Sequence, residues 1–201
     1  MKCNIKIATQ ENAEGILNAL QQNLVEIKDI DNISEKEIKR LEEDGFLRKE
    51  VNIEYYKNLI EDPDIDIYIV ENDNGMIIGF ASIHRKKYNI IKVRDVIGNL
   101  SFENKESNDL LLNDKTEFAY LDQVSILPEY KRKGIGTAIF QHALTNLNTP
   151  VVAFIVEKPL FNKASVYWHE HNGFEFSAIS DGEYKGKEFK FQIFIHWNKK
   201  L

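Results

Sequence analysis

Cysteine is almost missing from this chain. Its 201 residues hold one, Cys3, so no internal disulfide can form. No histidine lies near it in sequence, and an incidental thiol is favoured over a nucleophile. Long apolar runs are missing too. None approaches the roughly 20 residues of a membrane span, and Met1-Lys2-Cys3-Asn4 opens no signal-peptide core. A cytoplasmic location without membrane contact is therefore expected. Positive charge is short: 26 Lys and Arg stand against 32 Asp and Glu, a net charge of −6, which argues against nucleic acid as the main partner. An acidic surface would steer a cationic ligand such as an amine, although solubility is the first reading of that charge. The histidines lack ligand spacing. His169 and His171 diverge on a helix, and His84, His142 and His196 lie far apart, so no metal site is expected. Internal repeats and low-complexity tracts are absent as well.

What remains is an ordinary globular composition, 43% hydrophobic and 29% charged, with length for one sizeable core. We read a single domain over 1–201. Asn4 to Ala8 alternates as a first strand. Thr9 caps a helix whose apolar positions run from Ala13 through Leu24 to Ile27. Ser34 with Glu37 forms a capping box for a second helix, which Asp44-Gly45 stops. Asn52 to Ile60 reads as a short third helix. Asp66 to Glu71 and Met76 to His84 flank the turn Asn72-Asp73-Asn74-Gly75 as a hairpin. Within it, Gly79 marks a bulge or a close backbone approach. Residues 87–115 read as an irregular insertion, with one helical turn near Asp109. Beyond it come a central strand (116–127), a buried strand (151–156), a helix (161–172) ended by Gly173, and two last strands (174–179 and 188–197) around a turn at Asp181-Gly182.

The chain is organised around Leu121 to Ala138, LDQVSILPEYKRKGIGTA. A buried strand ends at Pro128, which has no N–H for a ladder. A glycine turn follows and opens a helix with Ile135, Ile139, Ala143 and Leu147 near one face. Strand, glycine turn and helix start make an anion site. The first helical N–H groups have no intrahelical partner, and the macrodipole adds positive potential. Gly134 and Gly136 can take positive φ, and successive N–H groups from Arg132 to Thr137 can wrap a phosphate or pyrophosphate. Lys131, Arg132 and Lys133 add charge. A P-loop is excluded because no lysine separates Gly136 from Thr137. A dinucleotide fingerprint is excluded because Ile139 stands where a small residue is needed.

The run Val124 to Gly136 resembles the acetyl-CoA loop of the GNAT family, the Gcn5-related N-acetyltransferases. A second stretch, Asn162-x-x-Ser165-x-x-Trp168-His169-Glu170-His171-Asn172-Gly173-Phe174, is similar to that family's following helix. The resemblance covers residues 116–180 most strongly. It implies an α+β fold with a mixed, mostly antiparallel sheet of six to seven strands flanked by helices, and with splayed central parallel strands. It also implies a division into a helical acceptor-side region (9–60), an insertion (87–115) and a cofactor-binding core (116–180).

The implied activity is transfer of the acetyl group of acetyl-CoA to a primary amine, by direct attack in a ternary complex. The cofactor would be held by Lys131, Arg132, Lys133, Gly134, Ile135, Gly136 and Thr137. Backbone donors at Val124, Ser125 and Ile126 would meet the thioester, the Ile126 N–H first among them, and Asn162 would contact the cofactor arm or cap its helix. The family's usual acid is a tyrosine where this chain has His169, which leaves two readings open, a proton donor or a packing ring. Alternation puts Asp122 on one face with Tyr120 and Val124, as a base or as an electrostatic anchor for the ammonium. Acceptors in view are a small molecule or a peptide amine, and the last edge strand offers a homodimer contact. Two alternatives stand: a non-catalytic acyl-CoA-binding module, and a protein N-terminal or lysine acetyltransferase.

Overall fold

The structure, a computed structural model, describes residues 4–25, 33–47, 51–85, 99–113, 115–184 and 187–198. The helices are α1 (Ala13–Gln21), α2 (Glu35–Asp44), α3 (Ile53–Glu61), α4 (Lys105–Leu112), α5 (Ile135–Leu144) and α6 (Lys163–His171). The strands are β1 (Asn4–Ile7), β2 (Ile65–Glu71), β3 (Ile77–His84), β4 (Asn99–Phe102), β5 (Ala119–Ile126), β6 (Val151–Lys158), β7 (Glu175–Tyr184) and β8 (Lys187–His196). Their hydrogen-bonded order is β1-β2-β3-β5-β6-β8-β7-β4. The β1–β2, β2–β3, β6–β8, β7–β8 and β4–β7 ladders are antiparallel, and β5–β6 is parallel. This is the expected α+β fold, with eight strands rather than six to seven.

Side-chain caps start most of the helices. The Ser34 hydroxyl accepts from the Glu37 N–H at 3.3 Å, Asn52 from Tyr55 at 3.0 Å, Asn104 from Ser107 at 2.8 Å and Asn162 from Ser165 at 3.2 Å. Each satisfies one orphan donor of a first turn. Only half of the expected box at Ser34 forms, because the Glu37 carboxylate accepts from Arg40 instead.

The described residues fall into two compact units. The first is drawn from Met1–Ile27, Leu47–Lys86 and Leu121–Asn148. In it α1 and α3 touch each other and lie on β3 and β2, while α5 also contacts both strands. Phe80 meets Tyr56 of α3 edge-on at 5.6 Å, and Tyr68 meets His142 of α5 at 5.7 Å. Strands covered on both faces read as continuous apolar runs, and β2 is buried without alternation from Ile67 to Val70, as β3 is from Ile77 to Ile83. β5 differs: buried and half-buried residues alternate along its whole length.

The second unit is drawn from Lys28–Phe46, Lys87–Tyr120 and Thr149–Leu201. Leu110 and Leu111 of α4 pack there with Phe118, Val152, Ala178, Ile193 and Ile195. The parallel register covers Ala119↔Val151 and Tyr120↔Val152, the short pairing that splayed strands require. Lys163 of α6 bonds Glu42 of α2 at 2.7 Å.

Several sequence expectations are corrected. The first helix ends at Gln21, and Leu24 instead forms a parallel bridge with Leu47; Ile27 lies outside the described residues. Within the expected insertion, residues 87–98 also lie outside them. The remainder is regular: β4 pairs with β7, and α4 follows. The expected turn at Asp181-Gly182 is ladder, paired with Lys190 and Phe189, and the last strand, expected at an edge and open to a second copy, is interior, paired with β6 on one side and β7 on the other. Among the described residues, no helix is long and apolar enough to cross a membrane.

Phe80 is fully buried, so Phe80→Ala is expected to lower stability by about 3–5 kcal/mol. Met76, 43% exposed at the hairpin, should tolerate the same truncation within about 0.5 kcal/mol. Thermal denaturation of the two variants checks the contrast.

Candidate functional site

The alternation of β5 sets the site. Leu121, Gln123 and Ser125 are buried, and Tyr120, Asp122, Val124 and Ile126 are half-exposed. β5 is interior to the sheet order, yet one row of its side chains is left partly open.

The buried row fixes the backbone. The Ser125 hydroxyl donates to the Ala19 carbonyl at 2.8 Å and accepts from Asn23 Nδ2 at 2.9 Å. Asn23 also donates to the Ile126 carbonyl at 2.9 Å. The end of β5 is thus tied to the end of α1. Sequence reading missed Asn23, whose only signal is its place just past the periodic apolar face of α1. Tyr56 donates to Gln123 Oε1 at 2.8 Å from α3. The close approach expected at Gly79 is present: a Cβ there would stand 2.4 Å from Ile126 Cδ1 and 3.0 Å from the Ser125 carbonyl oxygen.

After Ile126, the Leu127 N–H donates to the Ile78 carbonyl at 2.9 Å, and Pro128–Tyr130 forms one 3-10 turn. Asn72 of the β2–β3 turn donates to the Tyr130 hydroxyl at 3.3 Å, and the Lys133 ammonium sits over the Tyr130 ring at 5.1 Å. The loop then passes through the left-handed region twice, at Arg132 (φ 61°) and Gly134 (φ 76°). This corrects the expectation for Gly136, which is the second residue of α5 and helical, so the second left-handed position belongs to Arg132.

Turns of this kind aim successive N–H groups into one concavity. Gly134 precedes α5 with no side-chain cap, and the first turn of α5 holds no acidic residue. Ile135, Gly136 and Thr137 have no i−4 carbonyl within the helix, whose first bond runs from the Ala138 N–H to Gly134 at 2.9 Å. A Cβ on Gly134 would meet nothing within 4 Å. Lys131, Arg132 and Lys133 flank this open cradle, and its chemistry suits a phosphate group.

Asp122, half-exposed on β5, lies in a cluster absent from the sequence reading. Tyr55 of α3 donates to Asp122 Oδ2 at 3.4 Å, and His84 Nε2 at the end of β3 stands 3.9 Å from the same oxygen. No sequence spacing joins these three residues.

In the second unit, the Asn162 carboxamide accepts from the Ser165 N–H and donates to the Phe46 carbonyl at 2.8 Å, tying the start of α6 to the chain after α2. His169 is 6% exposed, with Trp168 and Phe174 each 4.8 Å away between ring centres. Its Nδ1 donates to the Ser165 carbonyl at 2.7 Å. Burial pushes its pKa down to about 4, against a smaller upward pull from that bond. A ring that is neutral at pH 7 with its proton on Nδ1 presents Nε2 as an acceptor, so its surroundings favour the packing reading over the acid. Among the described residues, no group of three or more His, Cys, Asp or Glu could hold a metal ion.

A family model described as the acetyltransferase (GNAT) family matches residues 30–174. No curated protein sequence matches the chain. Among solved structures, the ribosomal-protein-S18-alanine N-acetyltransferase from Escherichia coli is similar with a TM-score of 0.61 at 12% identity, over 100% of this chain and 96% of that one. NAA60 from Arabidopsis thaliana in complex with acetyl-CoA gives 0.60 at 13% identity, over 98% of both chains. The PaiA N-acetyltransferase of Thermoplasma acidophilum in complex with coenzyme A gives 0.55 at 16% identity, over 96% and 98%. At such identities the likeness carries the fold alone.

A histidine kept neutral in the fold but titrating near 6.5 when unfolded binds its proton more tightly in the unfolded chain. Stability is therefore held above about pH 6.5 and falls as the pH drops toward 4. The melting temperature should decline through that window, and His169→Phe should reduce the decline. An unchanged slope in the variant would show that the ring titrates normally.

Proposed function

This chain belongs to the acetyltransferase (GNAT) family, and from that premise we propose that it moves the acetyl group of acetyl-CoA to a primary amine, by direct attack within a ternary complex. The reading rests on one observation. The loop after β5 takes left-handed backbone at Arg132 and Gly134 and leads into the start of α5, which has no side-chain cap and no acidic residue in its first turn, just after three consecutive cationic residues. Such a cradle suits the pyrophosphate of coenzyme A.

In this reading residues 131–137 bind the phosphates, mainly through the backbone, so Lys131 need not be an arginine. Val124, Ser125 and Ile126 present backbone toward the thioester, with the Ile126 N–H as oxyanion donor. Asn162 caps α6 and ties it to the chain after α2. Asp122 faces the acceptor. His169 has no proton role here. A carrier that binds acyl-CoA without turnover is the rival reading, and thiol release decides between them.

Calorimetric titration with acetyl-CoA tests the cradle. The native chain is expected to bind. Gly134→Asn, which tolerates positive φ, should stay within a few-fold, while Gly134→Asp should lose at least about tenfold because it adds a negative charge to the phosphate site. No binding by the native chain would defeat the proposal.

Gly79→Ala tests the oxyanion donor. The new Cβ presses on the Ser125 carbonyl and the Ile126 side chain. Thiol release should fall on the order of 100-fold, with cofactor affinity changed far less. Full turnover in this variant would remove Ile126 from the catalytic account.

A further inference from the structure

The peptide between Ile126 and Leu127 is pinned at both ends. Its carbonyl accepts from Asn23 Nδ2 at 2.9 Å, and its N–H donates to the Ile78 carbonyl of β3 at 2.9 Å. Successive N–H groups of a strand point to opposite edges, so the Ile126 N–H is turned away from β3. That N–H lies between two fixed points, the pinned peptide after it and the Ser125 side chain before it. The Ser125 hydroxyl is held twice, by donating to Ala19 and by accepting from Asn23. Asn23 therefore bonds at both points.

Asn23 is in turn seated by its own backbone. Its N–H donates to the Leu20 carbonyl at 2.9 Å, and its carbonyl accepts from the Leu47 N–H at 2.8 Å. The Val25 N–H donates back to the Leu47 carbonyl at 2.8 Å. The residue is 9% exposed, so bulk water competes little for its bonds. A carboxamide nitrogen carries two hydrogens, and the two acceptors at 2.9 Å take both; the Ala19 carbonyl stands farther off at 3.3 Å. A leucine of similar shape would offer no donor at all.

Resting on the acetyltransferase reading, we propose that Asn23 is a positioning residue for the transfer: it holds the Ile126 N–H in place for the thioester oxygen and so sets the rate more than the affinity. The reason is geometric. A donor stabilises an oxyanion by standing in place before charge develops. Without Asn23 the Ile126 carbonyl is released, the following peptide can swing about its remaining bond to Ile78, and the neighbouring N–H moves with it. The phosphate cradle has ties of its own, from Asn72 to the Tyr130 hydroxyl and from Lys133 over the Tyr130 ring. Donor position and cofactor grip are thereby separable.

The test needs no known acceptor. Acetyl-CoA isotope-labelled at the thioester carbonyl carbon is bound to the full chain, and the carbonyl stretch is read by infrared difference spectroscopy. A hydrogen bond to that oxygen lowers the frequency. The native complex is expected to show a lowered band, and Asn23→Leu should return it toward the frequency of free acetyl-CoA, with calorimetric affinity changed only a few-fold. Gln10→Ala removes a side-chain bond to the Lys57 carbonyl elsewhere in the first unit and should leave the band in place. Asn23→Ala replaces the leucine variant if that one fails to fold. A native band at the free frequency, the same lowered band in the native chain and Asn23→Leu, or an equal loss in Gln10→Ala would each overturn the inference. A native chain that binds no acetyl-CoA would instead defeat the acetyltransferase reading, so the two failures are distinguishable. With any amine that turns over, Asn23→Leu should lower kcat roughly 10- to 100-fold with the KM for acetyl-CoA little changed. A loss confined to KM would overturn the positioning role.

Discussion

Asn23 donates at once to the Ser125 hydroxyl and the Ile126 carbonyl, each at 2.9 Å. Much of the first unit depends on that side chain. It ties the end of β5 to the end of α1, so the strand leaves the sheet at one fixed point. The loop of residues 128–134 and the start of α5 are placed from there. The arrangement is over-determined: Ser125 adds a bond to Ala19, Tyr56 bonds Gln123, and Gly79 removes the one Cβ that would push the backbone away. Buried polar groups must be satisfied, and here their satisfaction doubles as positioning. A backbone that presents donors to a reacting carbonyl needs that rigidity, because such donors act by being in place before charge develops.

The parts legible in the sequence are those whose signals are local. Asn72 to Gly75 announces its turn, Asn52 its helix, and Gly134 the left-handed step into α5, since each acts on a neighbour within a few residues. Less legible was whatever depends on a distant partner. The four residues of β4 carry little strand pattern of their own and become a strand by pairing with β7. Asp181-Gly182 carries the composition of a turn but is held extended opposite Lys190 and Phe189. Arg132 in the left-handed region could not be foreseen, because a non-glycine residue adopts it only where the surroundings enforce it. The motif residues of the loop were found before the structure, whereas His84 and Tyr55 were not: the fold brings them to Asp122 from 38 and 67 positions away in the numbering.

That difference follows from chemistry. A phosphate can be gripped by consecutive N–H groups, so the cradle is one stretch of chain and leaves a readable glycine pattern. Side chains may vary around it, as Lys131 does, without dismantling it. The cluster at Asp122 is of another kind: no single strand or turn can supply an imidazole, a carboxylate and a phenol converging on one point. Those groups come from separate elements and leave no spacing to read.

His169 shows the converse. It lies within the best-matching motif, yet its burial against Trp168 and Phe174 and its bond to Ser165 hold it neutral, with its proton directed at its own helix. A group is suited to move protons when both of its protonation states are affordable in place. The aromatic surroundings of His169 exclude the cationic state at neutral pH. His84 stands in other company, with its Nε2 3.9 Å from the Asp122 carboxylate. The environment of a ring, more than its distance from a recognised motif, marks a packing histidine.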